Sequence, residues 1–264
     1  SMKKSVLFFD IDGTLLSEKT GMIPESAVQA LHEAQRRGHM LFINTGRTKC
    51  SVPDEIRRYP FDGFLCGCGT GIYCHGEELF TSSLSRERGR ELIAMADACG
   101  IGAVAEGQED IYFPEKPGRF KVLEMMREHF KSRRMGIEHT LESGGFVYDK
   151  LFVFADGQSR MQRFLDFLGE DMEAMDRGGG AWEIIQKGYS KATACRFILD
   201  RFGFTLDEAY VFGDSSNDLA MFEFADHAVA MGYHDPVLDP HAEYVTAEVE
   251  QDGIARALEH YGLI

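Results

Sequence analysis

Tryptophan occurs once and proline seven times in 264 residues, and no apolar stretch nears the roughly 20 residues that a membrane-spanning helix requires. The longest such runs are short blocks, Val6 to Phe9 and Leu151 to Ala155, so no bilayer span is expected. Basic residues are scarce: 28 Lys and Arg face 43 Asp and Glu, a formal charge of −15. A surface of that sign repels anionic lipid and phosphate backbones, which argues against nucleic-acid and membrane partners. The opening Ser1-Met2-Lys3-Lys4 lacks the apolar region of a signal peptide, so the cytoplasm is the expected compartment. Ser1 ahead of Met2 reads as a remnant of expression.

Six cysteines, at positions 50, 66, 68, 74, 99 and 195, fit that compartment as reduced thiols. Cys66-x-Cys68 followed by Cys74-His75 invites a zinc reading. The spacing lacks a C-x₂₋₄-C pair with a matching second pair, and glycines interleave the first two cysteines, so small buried side chains are the better reading. No internal repeat, heptad or low-complexity tract is present.

What is present is the composition of a globular protein, 44% hydrophobic and 27% charged, at a length suited to one large or two modest domains. Short apolar runs alternate with helical patterns, as in a parallel sheet covered on both faces. Strands are expected at Val6–Phe9, Met40–Ile43, Phe64–Cys66, Ala209–Phe212, Ala228–Met231 and Tyr244–Thr246. Helices are expected at Pro24–Arg37, with Gly38 as its stop, at Asp218–Phe224 and around Gly253–His260.

The middle reads differently. Three helical patterns, Glu87–Ala98, Gly118–Arg133 and Gln158–Leu168, lie among strand-like pieces at Gly102–Ala105, Phe146–Val147, Lys150–Phe154 and Trp182–Ile185. The expected architecture is therefore α/β: a Rossmann-like, doubly wound parallel-sheet core with an inserted α+β domain. Residues 1–84 and 186–264 would form the core and 85–185 the insertion.

Ligands of open α/β sheets bind beyond the carboxyl ends of the strands. Those ends carry Asp10-Ile11-Asp12-Gly13-Thr14-Leu15, Asn44-Thr45-Gly46-Arg47 and Gly213-Asp214-Ser215-Ser216-Asn217-Asp218. Taken singly, each is an ordinary turn or helix cap. Together they crowd Asp10, Asp12, Asp214 and Asp218 along one edge, which carboxylates resist without a counter-charge. A hard dication with oxygen ligands answers that, and Mg²⁺ takes one or two carboxylates plus a substrate phosphate. The Thr45 hydroxyl, the backbone amides near Gly46 and Gly213 and one lysine would suit a phosphoryl group.

These residues, with Lys191 in Lys187-Gly188-Tyr189-Ser190-Lys191, resemble the four motifs of the haloacid dehalogenase (HAD) phosphatase superfamily. The long insertion between the second and third motifs is similar to the Cof-type subfamily, whose cap is termed C2B. The resemblance implies an Mg²⁺-dependent phosphatase of small phosphorylated metabolites, sugar phosphates foremost, working through an aspartyl-phosphate. It implies Asp10 as nucleophile and Asp12 as general acid and base. Mg²⁺ would be held by Asp10, the Asp12 backbone carbonyl and Asp214, with Asp218 behind that shell. Thr45, Gly46, Lys191 and Asn217 would hold phosphate.

Two departures fall outside the motifs: Cys68-Gly69-Thr70 stands where Asn-Gly-Ala is frequent, and Gly232-Tyr233-His234 where an Asn-Ala pair is. A phosphomutase or phosphotransferase is the alternative, and a signalling domain that accepts phosphoryl without turnover is a weaker one. Lys191 in the first turn of a helix capped by Ser190 sits badly with the helix dipole unless an anion faces it. The basic stretch from Lys116 to Arg134 reads as a solvated helix rather than a second anion handle. The oligomeric state is open, a monomer being compatible with all of the above.

Overall fold

The computed structural model describes residues 3–264; Ser1 and Met2, with the remnant suggested by their order, lie outside the described residues. The chain first runs through β1 (Val6–Phe9), α1 (Glu25–Arg36), β2 (Met40–Asn44), α2 (Asp54–Arg58), β3 (Gly63–Cys66), β4 (Gly71–Cys74) and β5 (Glu77–Thr81). It continues through α3 (Arg86–Ala98), β6 (Gly102–Glu106), β7 (Ile111–Tyr112), α4 (Lys121–Ser132), β8 (Lys150–Phe154), α5 (Met161–Phe167), β9 (Met172–Gly178) and β10 (Ala181–Gln186). It closes with α6 (Lys191–Phe202), β11 (Ala209–Gly213), α7 (Leu219–Phe224), β12 (His227–Ala230), β13 (Tyr244–Val245) and α8 (Gly253–His260). No helix among the described residues is long and apolar enough to cross a membrane.

Two compact units divide the chain. The first takes the residues up to Arg47, then Val52–Thr81 and Tyr189–Ile264; the second takes Thr48–Ser51 and Ser82–Gly188. Sequence reading set the boundaries at 84/85 and 185/186. The contacts move them to 81/82 and 188/189, and assign to the second unit four residues, Thr48–Ser51, that no pattern had marked.

The first unit is an eight-stranded sheet in the order β13-β12-β11-β1-β2-β3-β4-β5. Strands β13 to β3 are mutually parallel, as expected of a doubly wound core, while β4 and β5 add an antiparallel hairpin at one edge. Every residue of β1 is buried, because it is central and covered on both faces. Leu7 and Phe9 join the core under α1 and α8, while Val6 and Phe8 join the core under α6 and α7. From β1 the chain proceeds to β2 and β3 on one side and later to β11, β12 and β13 on the other. That reversal places the carboxyl end of β1 at the switch point, where open α/β sheets leave a crevice.

The second unit is a five-stranded sheet in the order β7-β6-β8-β10-β9. Its α3–α5 face is packed by Ala103, Leu151, Val153 and Ile184, and its α4 face by Val104 and Phe154. Beside the latter, β8, β9 and β10 carry an ionic cluster in which Lys150 Nζ donates to Glu183 at 2.9 Å and Arg177 also donates to Glu183. Burial opposes ionisation of Glu183, but Lys150 and Arg177 outweigh it and hold the carboxyl at about 2. The expected strand at Phe146–Val147 is instead irregular: Phe146 stacks on Tyr112 with ring centroids 3.7 Å apart, which takes the place of strand pairing. The basic stretch is compensated within its own unit, Arg119 pairing with Asp156 and Arg127 with Glu124.

Candidate active site

Three strand ends and one helix start supply the site. The Asp10 backbone N–H donates to Phe212 O at 3.0 Å, extending the β1–β11 ladder by one step and directing the Asp10 carboxylate to the sheet edge. The Thr45 N–H donates to Leu65 O at 2.8 Å and does the same beyond β2. At α6, the Ser190 hydroxyl accepts from the Ala192 and Thr193 amides, and Thr193 reciprocates onto the Ser190 N–H, a full capping box. That cap fixes Lys191 as the first helical residue.

Lys191 is fully buried, unlike most lysines. Its Nζ donates to Asp10 Oδ1 at 2.8 Å and to Asp218 Oδ1 at 2.6 Å. Burial presses the ammonium toward neutrality, yet the Asp10 and Asp218 carboxylates outweigh it and raise Lys191 above its ordinary range. The anions expected before this helix start are therefore these two carboxylates. Asp218 is fully engaged, since its Oδ2 also accepts from the Asp214 and Ser215 amides at 3.0 and 3.1 Å. It lies in a 3₁₀ turn, Ser216–Asp218, ahead of α7, not inside the helix as its sequence pattern suggested. The turn lets Asp218 fold back on its own loop.

Asp214 Oδ1 accepts from the Thr14 hydroxyl at 3.4 Å. Burial raises its pKa to about 9, with the adjacent Asp10 carboxylate adding to the shift. Ligand oxygens of Asp10, Asp214 and Asp218 lie within 4.8 Å of one another. Three carboxylates share one lysine, so the set holds a surplus of negative charge that a divalent cation would neutralise. The donor set, all hard oxygen, suits Mg²⁺. Because Asp218 is committed to Lys191 and two amides, Asp10 and Asp214 are the carboxylates that would remain for a cation.

Asp12 is placed differently. The Arg47 guanidinium grips it, Nη2 to Oδ2 at 3.0 Å and Nε to Oδ2 at 3.1 Å, and both side chains are partly open to solvent. Arg47 was quoted within its motif but assigned no role from sequence; its forked donors on a carboxylate were the available signal. The Thr45 hydroxyl accepts from the Arg47 N–H at 3.0 Å. Asn217 accepts from the Ser215 hydroxyl, and its Nδ2 comes within 3.8 Å of where a Gly46 side chain would begin, so Asn217 and Gly46 are neighbours.

Gly13 is required here. Its φ is +79°, and a Cβ built on it would lie 2.1 Å from Asp214 Oδ2. Gly13→Ala is expected to displace Asp214 and to lower kcat for phosphate release by about 100-fold, the scale of an ångström misplacement. Steady-state kinetics with an aryl phosphate, beside a melting curve, measure this; a wild-type kcat would show that Asp214 is not held against Gly13.

Of the two departures from the family pattern, Cys68 (φ +53°) donates its N–H to Thr45 O at 3.0 Å and rests its thiol beside Gly46. In the other, His234 bonds Met231 O and Asp239, each at 2.6 Å, and the following Asp235 N–H donates to Asp214 O at 2.8 Å. Both loops thus brace the site's backbone. All six cysteines are free thiols, and His75 pairs with Asp62.

A family model described as haloacid dehalogenase-like hydrolase matches residues 7–258. YkrA of Bacillus subtilis (strain 168) is 28% identical over 278 residues, covering the whole of both chains. The 5-amino-6-(5-phospho-D-ribitylamino)uracil phosphatase YitU of the same organism is 25% identical, with 98% of each chain covered. Among solved structures, the HAD subclass IIB sugar phosphatase BT4131 superposes with a TM-score of 0.81 at 26% identity, over 98% of this chain and 100% of the other.

Proposed function

The chain belongs to the haloacid dehalogenase-like hydrolases and is a phosphatase, and from that premise we propose that it is an Mg²⁺-dependent hydrolase of sugar phosphates and similar small phosphorylated metabolites. The observation that carries the mechanism is the buried Lys191–Asp10 contact at 2.8 Å, which holds one carboxylate oxygen of Asp10 and fixes the direction of the other. In this reading the other oxygen of Asp10 attacks phosphorus, the ester P–O bond breaks, and an aspartyl-phosphate results. Splitting one displacement into two lowers each barrier.

Asp12 delivers the proton to the leaving alcohol and later removes one from the attacking water. Arg47 sets the direction of that carboxyl group. Lys191 and the Thr45 hydroxyl meet the equatorial oxygens as charge moves onto them, with Asn217 and the Gly46 amide beside them. Asp218, wholly occupied with Lys191 and the Asp214–Ser215 backbone, acts by holding both in place. Bound Mg²⁺, held by Asp10, Asp214 and the Asp12 carbonyl, would supply charge neutralisation for the approaching phosphate. The second unit, Thr48–Ser51 with Ser82–Gly188, is in this reading the inserted C2B cap expected from sequence over 85–185.

Hydrolysis, rather than transfer to another alcohol, is favoured because relatives that match this chain over nearly its full length carry phosphatase names. Phosphate release across a panel of phosphometabolites tests this reading. Stoichiometric free phosphate from sugar phosphates at kcat/KM above about 10⁴ M⁻¹ s⁻¹ is the expected result, within the ordinary range for enzymes. A transfer product in place of free phosphate would assign the chain to the phosphotransferases.

A further inference from the structure

The segment Thr48–Ser51 continues directly from Arg47 yet packs with the second unit. The reason is Gln108, buried in the loop between β6 and β7. Its side-chain Oε1 accepts from the Lys49 N–H at 2.8 Å, and its backbone carbonyl accepts from the Cys50 N–H at 2.9 Å. The Cys50 thiol donates to Gly107 O at 3.4 Å. The other end of the Gln108 amide, Nε2, donates to Asp149 Oδ2 at 2.5 Å, and the Ser83 hydroxyl donates to Asp149 Oδ1 at 2.7 Å. Gln186 closes the cluster by donating to the carbonyls of Asp149 and Ser82 and accepting from the Ser82 hydroxyl.

Those residues have one topological property in common. The chain passes between the two units after Arg47, after Ser51, after Thr81 and after Gly188. Lys49–Cys50, Ser82–Ser83 and Gln186 each lie within three residues of one of these passages, and the buried Gln108–Asp149 pair ties all of them together. Buried amides and carboxylates with every group paired are rigid, because each lost bond leaves a desolvated partner. Core packing alone would be served as well by apolar side chains.

We infer that Gln108 is a positioning residue of the phosphatase site: by holding the Lys49 and Cys50 N–H groups, it restrains the backbone that runs on from Arg47, and with it the direction of the Arg47 side chain that grips Asp12. The inference rests on the mechanism proposed above, in which Asp12 must face the leaving oxygen. The lever is short. Arg47 is anchored on its own side by the Gly67 N–H to Arg47 O bond at 2.8 Å, so only Thr48 separates that anchor from the Gln108 clamp on Lys49.

A double-mutant cycle in the full chain tests it. Gln108→Met keeps the length and volume of the side chain and removes both amide contacts; Arg47→Ala removes the residue through which it acts. Gln108→Met is expected to lower kcat by about tenfold with a smaller change in KM, as misplacement of a reacting group does. In the Arg47→Ala background the same substitution should change kcat less than twofold, because nothing remains to be misplaced. Losses that multiply, or a wild-type kcat in the single variant, would overturn the inference. If the methionine variant melts far below the wild type, Gln108→Asn, one methylene too short to reach both Lys49 and Asp149, carries the same cycle. Wild-type protein that releases no phosphate from any ester would instead overturn the mechanism on which the inference rests.

Discussion

Asp10→Asn should reduce phosphate release by about 10⁴-fold or more, the loss expected when a nucleophile is removed from a site that acts as a unit. The substitution is nearly isosteric. The amide retains an oxygen for Lys191, but its nitrogen has no lone pair suited to attack on phosphorus. The fold should survive, since Lys191 keeps its 2.6 Å contact with Asp218 and the surplus of carboxylates falls by one. Asp214 should then titrate closer to an ordinary carboxylate, because the Asp10 charge is part of what raises it, after burial. Phosphate release from an aryl phosphate and a thermal melt measure the two halves of the expectation. Residual turnover within tenfold of wild type would remove Asp10 as the nucleophile.

Much of this arrangement is legible in the amino-acid sequence, and the reasons are local. The strands β1, β2 and β11 are apolar on both faces, and each ends at a polar cluster, so both the strand and its polar end are visible in the sequence. The helix Gly253–His260 and the strand Lys150–Phe154 fall where their patterns put them. The hairpin of β4 and β5 did not show itself. Its two-residue turn, His75-Gly76, takes positive φ at both positions, +49° and +80°, a geometry usually signalled by Asn-Gly. Histidine in the first place hid the turn. β5 itself is mostly exposed, with Glu77, Glu78 and Thr81 facing solvent, so it lacks the alternation that marks a half-buried strand. β9 is likewise rich in charge and lacks a strand pattern.

The site was legible by type and not by pairing. Lys191 looked like a solvated lysine until its helix start was set against the dipole rule; the resolution is burial against Asp10 and Asp218. Which carboxylate serves the lysine and which is left for an ion depends on Asp218 turning its second oxygen onto the Asp214 and Ser215 amides, a fold-back that spacing does not encode. Gln108 carried no signal at all, since a lone glutamine in a loop belongs to no pattern. Its meaning comes only from the residues 59 positions upstream and 41 downstream that it joins.

Removal of the divalent cation should abolish turnover, and the same experiment should disclose which carboxylate gives up a proton to it. In the metal-free protein Asp214 is raised to about 9 by burial and by Asp10, against 3.8 for an ordinary aspartate. Between those values the folded state holds a proton that the unfolded chain has lost, so stability from this group falls as pH rises across that window. Below it, both states are protonated and the group contributes no slope. A cation that takes the place of the proton cancels the penalty, and binds better as the proton becomes easier to displace. The melting-temperature gain from millimolar Mg²⁺ should therefore be larger at about pH 8 than at about pH 6, by a few degrees for a domain of this size. EDTA should reduce phosphate release below about 1% of wild type, and added Mg²⁺ should restore it. Asp214→Asn should lose both the activity and the pH dependence of the Mg²⁺ shift. A gain independent of pH would take Asp214 out of the metal site, and full activity in EDTA would take the metal out of the mechanism. The ionic cluster at Glu183 cannot mimic the effect: Lys150 and Arg177 hold that carboxyl at about 2 against its burial, so its contribution is lost only as pH falls from 4.5 toward 2, on the acid side of the window.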